Sequence, residues 1–229
     1  VYDSFVTMVL KEVQEKTGLD PYNDGLTIET TIDSKAQQRL YDIVNTNDYI
    51  QYVNDKIQNA VVMLDTKTGA VRAVNGGRKQ TTLLGYNRAT DNSRSTGSTI
   101  KPVIDYGPAI EYLNYSTGQT IMDQRTTYSN GVELNNWDFS HKGAMTLRTA
   151  LVYSRNTTAL QTFKAVGETN IKSFLNNLDI QIKNDGQDYL VESNSIGADI
   201  SPIKMAAAYA TFGNYGTYSK PYTVTKVTT

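Results

Sequence analysis

The sequence predicts an α+β fold with α-β-α layering, in which a helical part lies beside an incomplete antiparallel sheet. Three observations support this prediction. The segment 26–32 alternates in polarity and is rich in β-branched residues, which is typical of a half-buried strand. Two short apolar runs, 60–64 and 70–74, flank a five-residue turn and predict a β-hairpin. From residue 98 onward the apolar spacing becomes mostly helical.

The other elements follow along the chain. Residues 5–13 carry apolar side chains at helical spacing, and Gly18 ends that helix. Asp33 or Ser34 caps a second helix that runs to Val44. Further helices are predicted at 98–113, 146–153, 157–166, 169–178 and 202–212, the last with Ser201 as its cap and Pro202 in its first turn.

Two segments do not complete this pattern. The stretch 114–145 is long, polar and aromatic, and we expect a loop there. The alternating stretch 222–227 predicts a strand, but the chain offers too few earlier strands to build a sheet for it. We therefore expect a domain whose C-terminal strands lie beyond Thr229.

The composition is that of an ordinary globular chain, and it excludes several kinds of site. The 229 residues are 39% hydrophobic and 20% charged, which is enough to bury a core. A net charge of -1 offers no basic surface to nucleic acid. The absence of cysteine excludes disulfides and thiolate metal sites, and the single His141 excludes a two-histidine cluster. We expect neither a metal nor a cofactor.

The strongest chemical signal lies in the run from Arg94 to Pro102. Because proline is tolerated only near a helix start, the helix must begin close to Ser98. Free backbone N–H groups and the positive end of the helix dipole then favour negative charge that develops beside Ser98. Lys101 shares its face of the helix. Serine needs a base to act as a nucleophile, and a desolvated lysine can serve. We predict that Ser98 is the nucleophile and Lys101 its base.

A second polar pair, Ser154 and Asn156, lies between two predicted helices. A hydroxyl at Ser154 can pass a proton from the lysine to a leaving group, and Asn156 can hold both the lysine and a substrate amide. Each motif alone has a plain structural interpretation, as a capped helix start or as polar residues at a helix junction. Their occurrence in this order in one chain favours a catalytic site.

These motifs together resemble those of a known family. Ser98-Thr99-Ile100-Lys101 with Ser154-Arg155-Asn156 resembles the active-site pair of penicillin-binding proteins and serine β-lactamases. Further segments are similar to the transpeptidase domain of bifunctional class A penicillin-binding proteins, most like those of Gram-positive cocci: 30–33 with Gln37-Gln38, 61–77, 145–151 and 201–216. The likeness covers most of residues 26–225 and implies the penicillin-binding-protein/serine β-lactamase-like fold.

The resemblance implies a DD-transpeptidase that crosslinks peptidoglycan. Ser98 would attack the penultimate D-Ala carbonyl of one stem peptide, and an amine of a second stem peptide would then attack the acyl-enzyme. β-Lactams imitate D-Ala-D-Ala and would acylate Ser98. Residues 26–229 would be the N-terminal and helical portion of the transpeptidase domain, and residues 1–25 the link to a preceding glycosyltransferase domain. The implied location is the outer face of the bacterial cytoplasmic membrane, with the anchor outside this sequence.

One family feature stands in a different place. The family carries Lys-Thr/Ser-Gly on a strand after the other two motifs, whereas Lys67-Thr68-Gly69 precedes Ser98 and falls in the predicted hairpin turn. We interpret this tripeptide as a turn in which glycine adopts an unusual φ. We expect the genuine third motif beyond Thr229, and the sequence in hand alone to be inactive.

Other functions remain open. A non-catalytic β-lactam sensor would also keep Ser-x-x-Lys, and a DD-carboxypeptidase would share the acylation step. A class A β-lactamase would need a deacylating Glu after Ser-x-Asn, but Glu111 precedes Ser154. A triad of Ser98, His141 and Asp138 is disfavoured because no Gly-x-Ser-x-Gly elbow surrounds the serine.

The weaker candidates for substrate contacts are Thr99, Trp137 and Tyr153. Trp137 and Phe139 lie in the polar segment 114–145. They either line a substrate groove or hold the loop against the core.

Overall fold

Short helices and strands alternate along the computed structural model, which describes all residues, 1–229. In chain order they are α1 (Asp3–Thr17), β1 (Thr27–Thr30), α2 (Ser34–Asn45), β2 (Val61–Leu64), β3 (Val71–Asn75), β4 (Arg94–Ser95), a 3-10 turn (Gly97–Ile100), a π-helical turn (Pro102–Tyr106), α3 (Gly107–Leu113), β5 (Thr120–Asp123), β6 (Thr126–Thr127), β7 (Glu133–Leu134), β8 (Gly143–Thr146), α4 (Leu147–Val152), α5 (Asn156–Val166), α6 (Glu168–Asn177), a second 3-10 turn (Glu192–Ile196), β9 (Asp199–Ile200), α7 (Pro202–Gly213) and β10 (Val224–Thr228). None of the helices is both long and apolar enough to cross a lipid bilayer.

These elements form two compact units. The first comprises Val1–Ser93 and Ser201–Thr229, and the second is the continuous stretch Arg94–Ile200. Every strand pair is antiparallel and lies within one unit. The predicted mixture of helices and antiparallel strands is confirmed.

The first unit is built on α1 and two strand pairs. Strand β10 pairs with β1, with Ile28 opposite Val227, so the strand predicted at the end of the chain has a partner. The apolar stripe Phe5, Val9 and Val13 of α1 is buried against β3. Residues spaced four apart lie on one helix face, and for this reason the stripe is continuous. The role of residues 1–25 as an interdomain link stays a prediction.

The Lys67-Thr68-Gly69 tripeptide lies in the turn between β2 and β3, as predicted. The Asp65 carboxylate accepts hydrogen bonds from the backbone N–H groups of Lys67, at 3.1 Å, and Thr68, at 2.9 Å. Gly69 has φ +77°, and a Cβ there would lie 2.9 Å from the backbone oxygens of Ser219 and Lys220. Both its conformation and its surroundings therefore require glycine at this position.

The start of α2 is well fixed. Asp33 caps the helix by accepting hydrogen bonds from Lys35 N and Ala36 N, both at 3.0 Å. The fully buried Gln37 then acts as a strand partner for Val74, accepting from its N–H at 2.8 Å and donating to its carbonyl at 2.9 Å.

Replacing Gln37 with leucine should lower the free energy of unfolding by about 1–3 kcal/mol, because two buried backbone groups of Val74 lose their partner. Gln38→Leu is the matched control, since Gln38 is exposed and bonds only Asp42; there we expect a change within about 0.5 kcal/mol. Urea denaturation measures both. Equal losses at the two positions would contradict this account of Gln37.

In the second unit, the single helix predicted over 98–113 is wrong in detail. A 3-10 turn, a π-helical turn and α3 follow one another there. Pro108 has no N–H to donate to the carbonyl four residues earlier, so the regular α-helical pattern is interrupted. Gly107 N–H instead reaches back to the Pro102 carbonyl, and a Cβ at Gly107 would come within 2.5 Å of that oxygen.

The expectation of a structureless loop over 114–145 is also wrong. Strand β5 pairs with β8, and β6 pairs with β7. These strands have only two to four residues each, too few for a periodic pattern to show in the sequence. Strand β4 pairs with β9, with Arg94 opposite Ile200. In the first unit Pro202 begins α7 as predicted, but the Ser201 side chain makes no capping hydrogen bond.

Candidate active site

Ser98 is the second residue of the 3-10 turn, and its side chain is exposed. Gly97 before it adopts φ +54°, a conformation that glycine takes without strain. The Ser95 hydroxyl accepts a hydrogen bond from Gly97 N at 3.3 Å. The helical run therefore begins at Gly97, one residue before the serine and close to the start that Pro102 predicted.

Lys101 lies one turn further on and is fully buried. Its Nζ donates to Asn156 Oδ1 at 2.7 Å, to the Ser154 carbonyl at 2.9 Å and to Ser154 Oγ at 3.2 Å. An ammonium has three N–H donors, and each has an acceptor here. The structure thus joins three of the four predicted catalytic residues directly, with Ser98 on the same helical run.

Burial lowers the pKa of Lys101 from 10.5 to about 8. The negative charge of Asp105 opposes this effect, and the positive charge of Arg155 adds to it. An amine with this pKa is partly neutral near pH 7–8 and has a lone pair available to accept a proton. The predicted base therefore has the electrostatic setting that its role requires.

Asp105 is a buried carboxyl that the sequence interpretation did not single out. It lies in the π-helical turn, and neither side-chain oxygen has a hydrogen-bond partner. Burial raises its pKa well above 3.8, while the Lys101 charge works in the opposite direction. An unpaired carboxyl in such a place holds its proton more tightly than a surface aspartate does.

Ser154 holds its position at the expense of backbone strain. It adopts φ 50°, in the left-handed region that glycine normally fills at a helix end. Ser154 N donates to Leu151 O, and Arg155 N donates to Ala150 O, both at 3.0 Å. This pair of bonds is the Schellman arrangement, with serine in the glycine position. The serine places a hydroxyl on Lys101 that glycine could not supply.

Asn156 begins α5 and is oriented by two asparagines from the segment between β7 and β8. Its backbone N–H donates to Asn136 Oδ1 at 2.7 Å, and its side-chain amide donates to the Asn135 carbonyl at 2.9 Å. The amide oxygen is thereby left facing Lys101. Both ends of the Asn156 side chain are engaged within the protein, so a substrate amide would have to share one of them.

The weaker substrate-contact candidates lie at two places. Trp137 Nε1 donates to the Tyr153 carbonyl at 3.0 Å, and the two residues are 67% and 59% exposed. Thr99 is exposed, and its hydroxyl donates to Thr96 O at 2.7 Å. Phe139 is 80% exposed, so its ring does not hold the loop against the core. The structure brings Trp137 and Tyr153 together next to Ser154, and their contact with substrate stays a prediction.

The disfavoured histidine triad does not assemble. The Asp138 carboxylate pairs with Arg155 at 3.0 Å and accepts from the Ser140 hydroxyl at 2.7 Å. His141 Nδ1 lies 3.8 Å from Asp123 instead. No group of three or more His, Cys, Asp or Glu side chains is arranged to hold a metal ion.

Comparisons with known proteins find related chains. Residues 59–229 match the family model described as the penicillin binding protein transpeptidase domain. The chain is 42% identical to penicillin-binding protein 1A/1B of Bacillus subtilis over 231 residues, covering 99% of the chain and 25% of that protein. It is 38% identical to penicillin-binding protein 1A of Streptococcus pneumoniae, covering 98% of the chain and 32% of that protein. The chain thus spans only a quarter to a third of the length of these relatives.

Solved structures show the same fold. The PonA1 protein of Mycobacterium tuberculosis in complex with penicillin V matches with a TM-score of 0.79 and 25% identity, over 96% of this chain and 60% of that one. Penicillin-binding protein 1A of Haemophilus influenzae matches with a TM-score of 0.76 and 21% identity, over 99% of this chain and 48% of that one. The fold and family predicted from the sequence are confirmed.

Proposed function

Because the chain belongs to the family of penicillin-binding protein transpeptidase domains, we propose that it carries the acyl-transfer site of a DD-transpeptidase that crosslinks peptidoglycan and is acylated by β-lactams. One observation carries the proposal. The buried Lys101 amine bonds both the Ser154 hydroxyl and the Asn156 amide, one helical turn after an exposed serine. The penicillin V complex of PonA1 supports the β-lactam part.

In the acylation step, neutral Lys101 takes the proton of Ser98 Oγ as that oxygen forms a bond to the penultimate D-Ala carbonyl carbon. The carbonyl π electrons move to its oxygen, and N–H groups at the helix start favour that charge. The C–N bond then breaks. The Ser154 hydroxyl donates its proton to that nitrogen and takes a proton from Lys101 in turn. Terminal D-Ala then leaves.

In the second step an amine of another stem peptide attacks the Ser98 ester and gives up a proton to Lys101. The C–O bond breaks, and the proton returns to Ser98 Oγ. In a β-lactam the broken C–N bond belongs to a ring, so the leaving nitrogen stays attached to the acyl group. We infer that this attached group obstructs the acceptor, which makes the adduct long-lived.

The wider assignments rest on the same proposal. The partners are stem peptides ending in D-Ala-D-Ala, amine acceptors, β-lactams, the remainder of the transpeptidase domain and a preceding glycosyltransferase domain. The named relatives are 1A and 1A/1B proteins several times the length of this chain, which supports an assignment to a larger cell-wall enzyme. Its substrate places the reaction outside the cytoplasmic membrane.

The test uses the protein as its gene encodes it, labelled with a fluorescent penicillin, digested and analysed by mass spectrometry. We expect one adduct, on the peptide that contains Ser98 and none on Ser154. A donor ending in D-Ala-D-Ala, offered with an amine acceptor, should then give the crosslinked product.

Each other outcome has a distinct meaning. No adduct on Ser98 would refute the proposal. Acylation without transfer to an amine would indicate a β-lactam sensor, and release of D-Ala to water alone would indicate a carboxypeptidase. Rapid turnover of a chromogenic cephalosporin would indicate a β-lactamase.

A further inference from the structure

Arg155, the middle residue of the Ser-Arg-Asn motif, is almost completely buried, at 1% exposure. All three guanidinium nitrogens contact other segments of the second unit. Nε donates to Asp123 Oδ2 at 2.9 Å, Nη1 pairs with Asp138 Oδ2 at 3.0 Å, and Nη2 donates to the Ser140 carbonyl at 2.6 Å. A buried, multiply bonded arginine of this kind fixes the geometry of its partners.

The partners of Arg155 belong to one network. Asp123, at the end of β5, is fully buried and also accepts from Thr157 Oγ1 at 2.6 Å and Asn136 Nδ2 at 2.8 Å. Burial alone would raise the pKa of Asp123, but these hydrogen bonds, with those from Lys142 N and Arg155, lower it below 3.8. The carboxylate is therefore charged and balances Arg155 inside the unit.

The network also contacts Asn156, one of the catalytic candidates. Asn136 Nδ2 donates to Asp123 and to the Ser140 carbonyl, so its Oδ1 faces the start of α5 and accepts from Asn156 N at 2.7 Å. Arg155 itself gives α5 no side-chain cap, so Asn136 supplies that cap from another segment. The same segment presents the Asn135 carbonyl that orients the Asn156 amide.

We propose that Arg155 is a positioning residue: through Asp123, Asp138 and Ser140 it fixes the segment 135–140, which holds Asn156 on Lys101. The inference rests on the proposed acyl transfer at Ser98. The guanidinium fork supplies this geometry, and the Arg155 charge, which lowers the pKa of Lys101, has a second effect that can be measured separately.

Two substitutions separate these contributions. Arg155→Lys keeps the charge and loses the fork, and Arg155→Met loses both. We expect each to slow penicillin acylation by about 10- to 100-fold, because the displacement of a catalytic group by about 1 Å slows a reaction by this order. The acylation rate should rise with pH as Lys101 loses its proton, and we call this rise the limb. Only Arg155→Met should move the limb to higher pH, because the Arg155 charge lowers the pKa of Lys101.

The control is Arg148→Met. Arg148 is exposed on α4, and its guanidinium bonds Thr117 Oγ1 outside the network, so we expect the native rate and the native limb. Should Arg155→Met fail to fold, Asp138→Ala provides a milder break at a less buried site, with a slower rate and an unchanged limb expected. Melting temperatures identify the folded variants.

The inference is overturned if the folded Arg155 and Asp138 variants acylate within about twofold of the native rate with the native limb. Failure of the native protein to acylate would instead refute the proposed function. The effect of the Arg155 charge on Lys101 can then still be measured by a 13C NMR titration of the Lys101 side chain. A higher pKa in Arg155→Met would support this effect, and an equal pKa in the two proteins would refute it.

Discussion

Replacing Lys101 with methionine will slow the acylation of Ser98 by penicillin by about 100- to 10,000-fold, the range for loss of a general base. Methionine fills a similar volume but has no lone pair of comparable basicity. It also leaves the Asn156 amide oxygen and the Ser154 carbonyl without the Nζ donor that each has at 2.7 and 2.9 Å. The rate of adduct formation, followed by stopped-flow fluorescence, measures the loss.

Lys101→Arg is the informative control, because it keeps the positive charge and the hydrogen-bond donors but cannot be deprotonated. We expect it to be nearly as slow as Lys101→Met. A rate within about threefold of the native protein would show that the charge, and not the base, matters at this position.

The native protein should show a matching pH dependence. The pKa of Lys101 is lowered to about 8, chiefly by burial, so the neutral amine is scarce below pH 8 and predominates above it. The acylation rate should therefore rise about tenfold per pH unit below the limb and level off above it. A rate that is flat between pH 6 and 9 would contradict this assignment.

Replacing Ser154 with glycine should relieve the backbone strain at this position and make the protein much less active. Relief of a left-handed backbone at φ 50° is worth about 1–2 kcal/mol, and the greater freedom of glycine in the unfolded chain offsets about 0.5–1 kcal/mol of it. Both Ser154→Gly and Ser154→Ala lose the hydrogen bond from Lys101, so we expect the glycine variant to be about 0.5–1 kcal/mol more stable than the alanine variant. Loss of the hydroxyl removes the proposed proton path to the leaving group and should slow acylation by about 100-fold.

Ser154→Ala separates the two effects, because alanine also lacks the hydroxyl but keeps the backbone strain. It should lose activity to the same extent and be the less stable of the two variants. Urea denaturation and acylation rates on the three proteins give the comparison. If alanine and glycine variants are equally stable, the strain at this position is smaller than we infer.

Two kinds of information predicted the catalytic candidates, local spacing for Ser98 and Lys101 and the family resemblance for Ser154 and Asn156. Pro102 fixes where the helical run starts, and a spacing of three places Lys101 on the face of Ser98. The contact of Lys101 with Ser154 and Asn156 spans more than fifty residues, and only the family resemblance indicated it. Local spacing and a known motif order therefore account for the centre of the site.

The supporting structure could not be predicted in this way. Arg155 meets Asp123 across 32 residues and Asn136 caps Asn156 across 20, and no periodicity links such pairs. The π-helical turn could not be predicted from the sequence for a related reason. Proline at 108 signals a disturbance, but which wider turn absorbs it depends on the packing around Gly107.

The pairing of β4 with β9 has a consequence for the architecture of the chain. The polypeptide enters the second unit at Arg94 and leaves it at Ile200, and these two residues lie opposite each other in the paired strands β4 and β9. Topologically the unit is an insert whose entrance and exit meet, the arrangement under which domain insertion is tolerated. All four catalytic candidates lie on this insert, so one uninterrupted piece of chain carries them between two ends that meet.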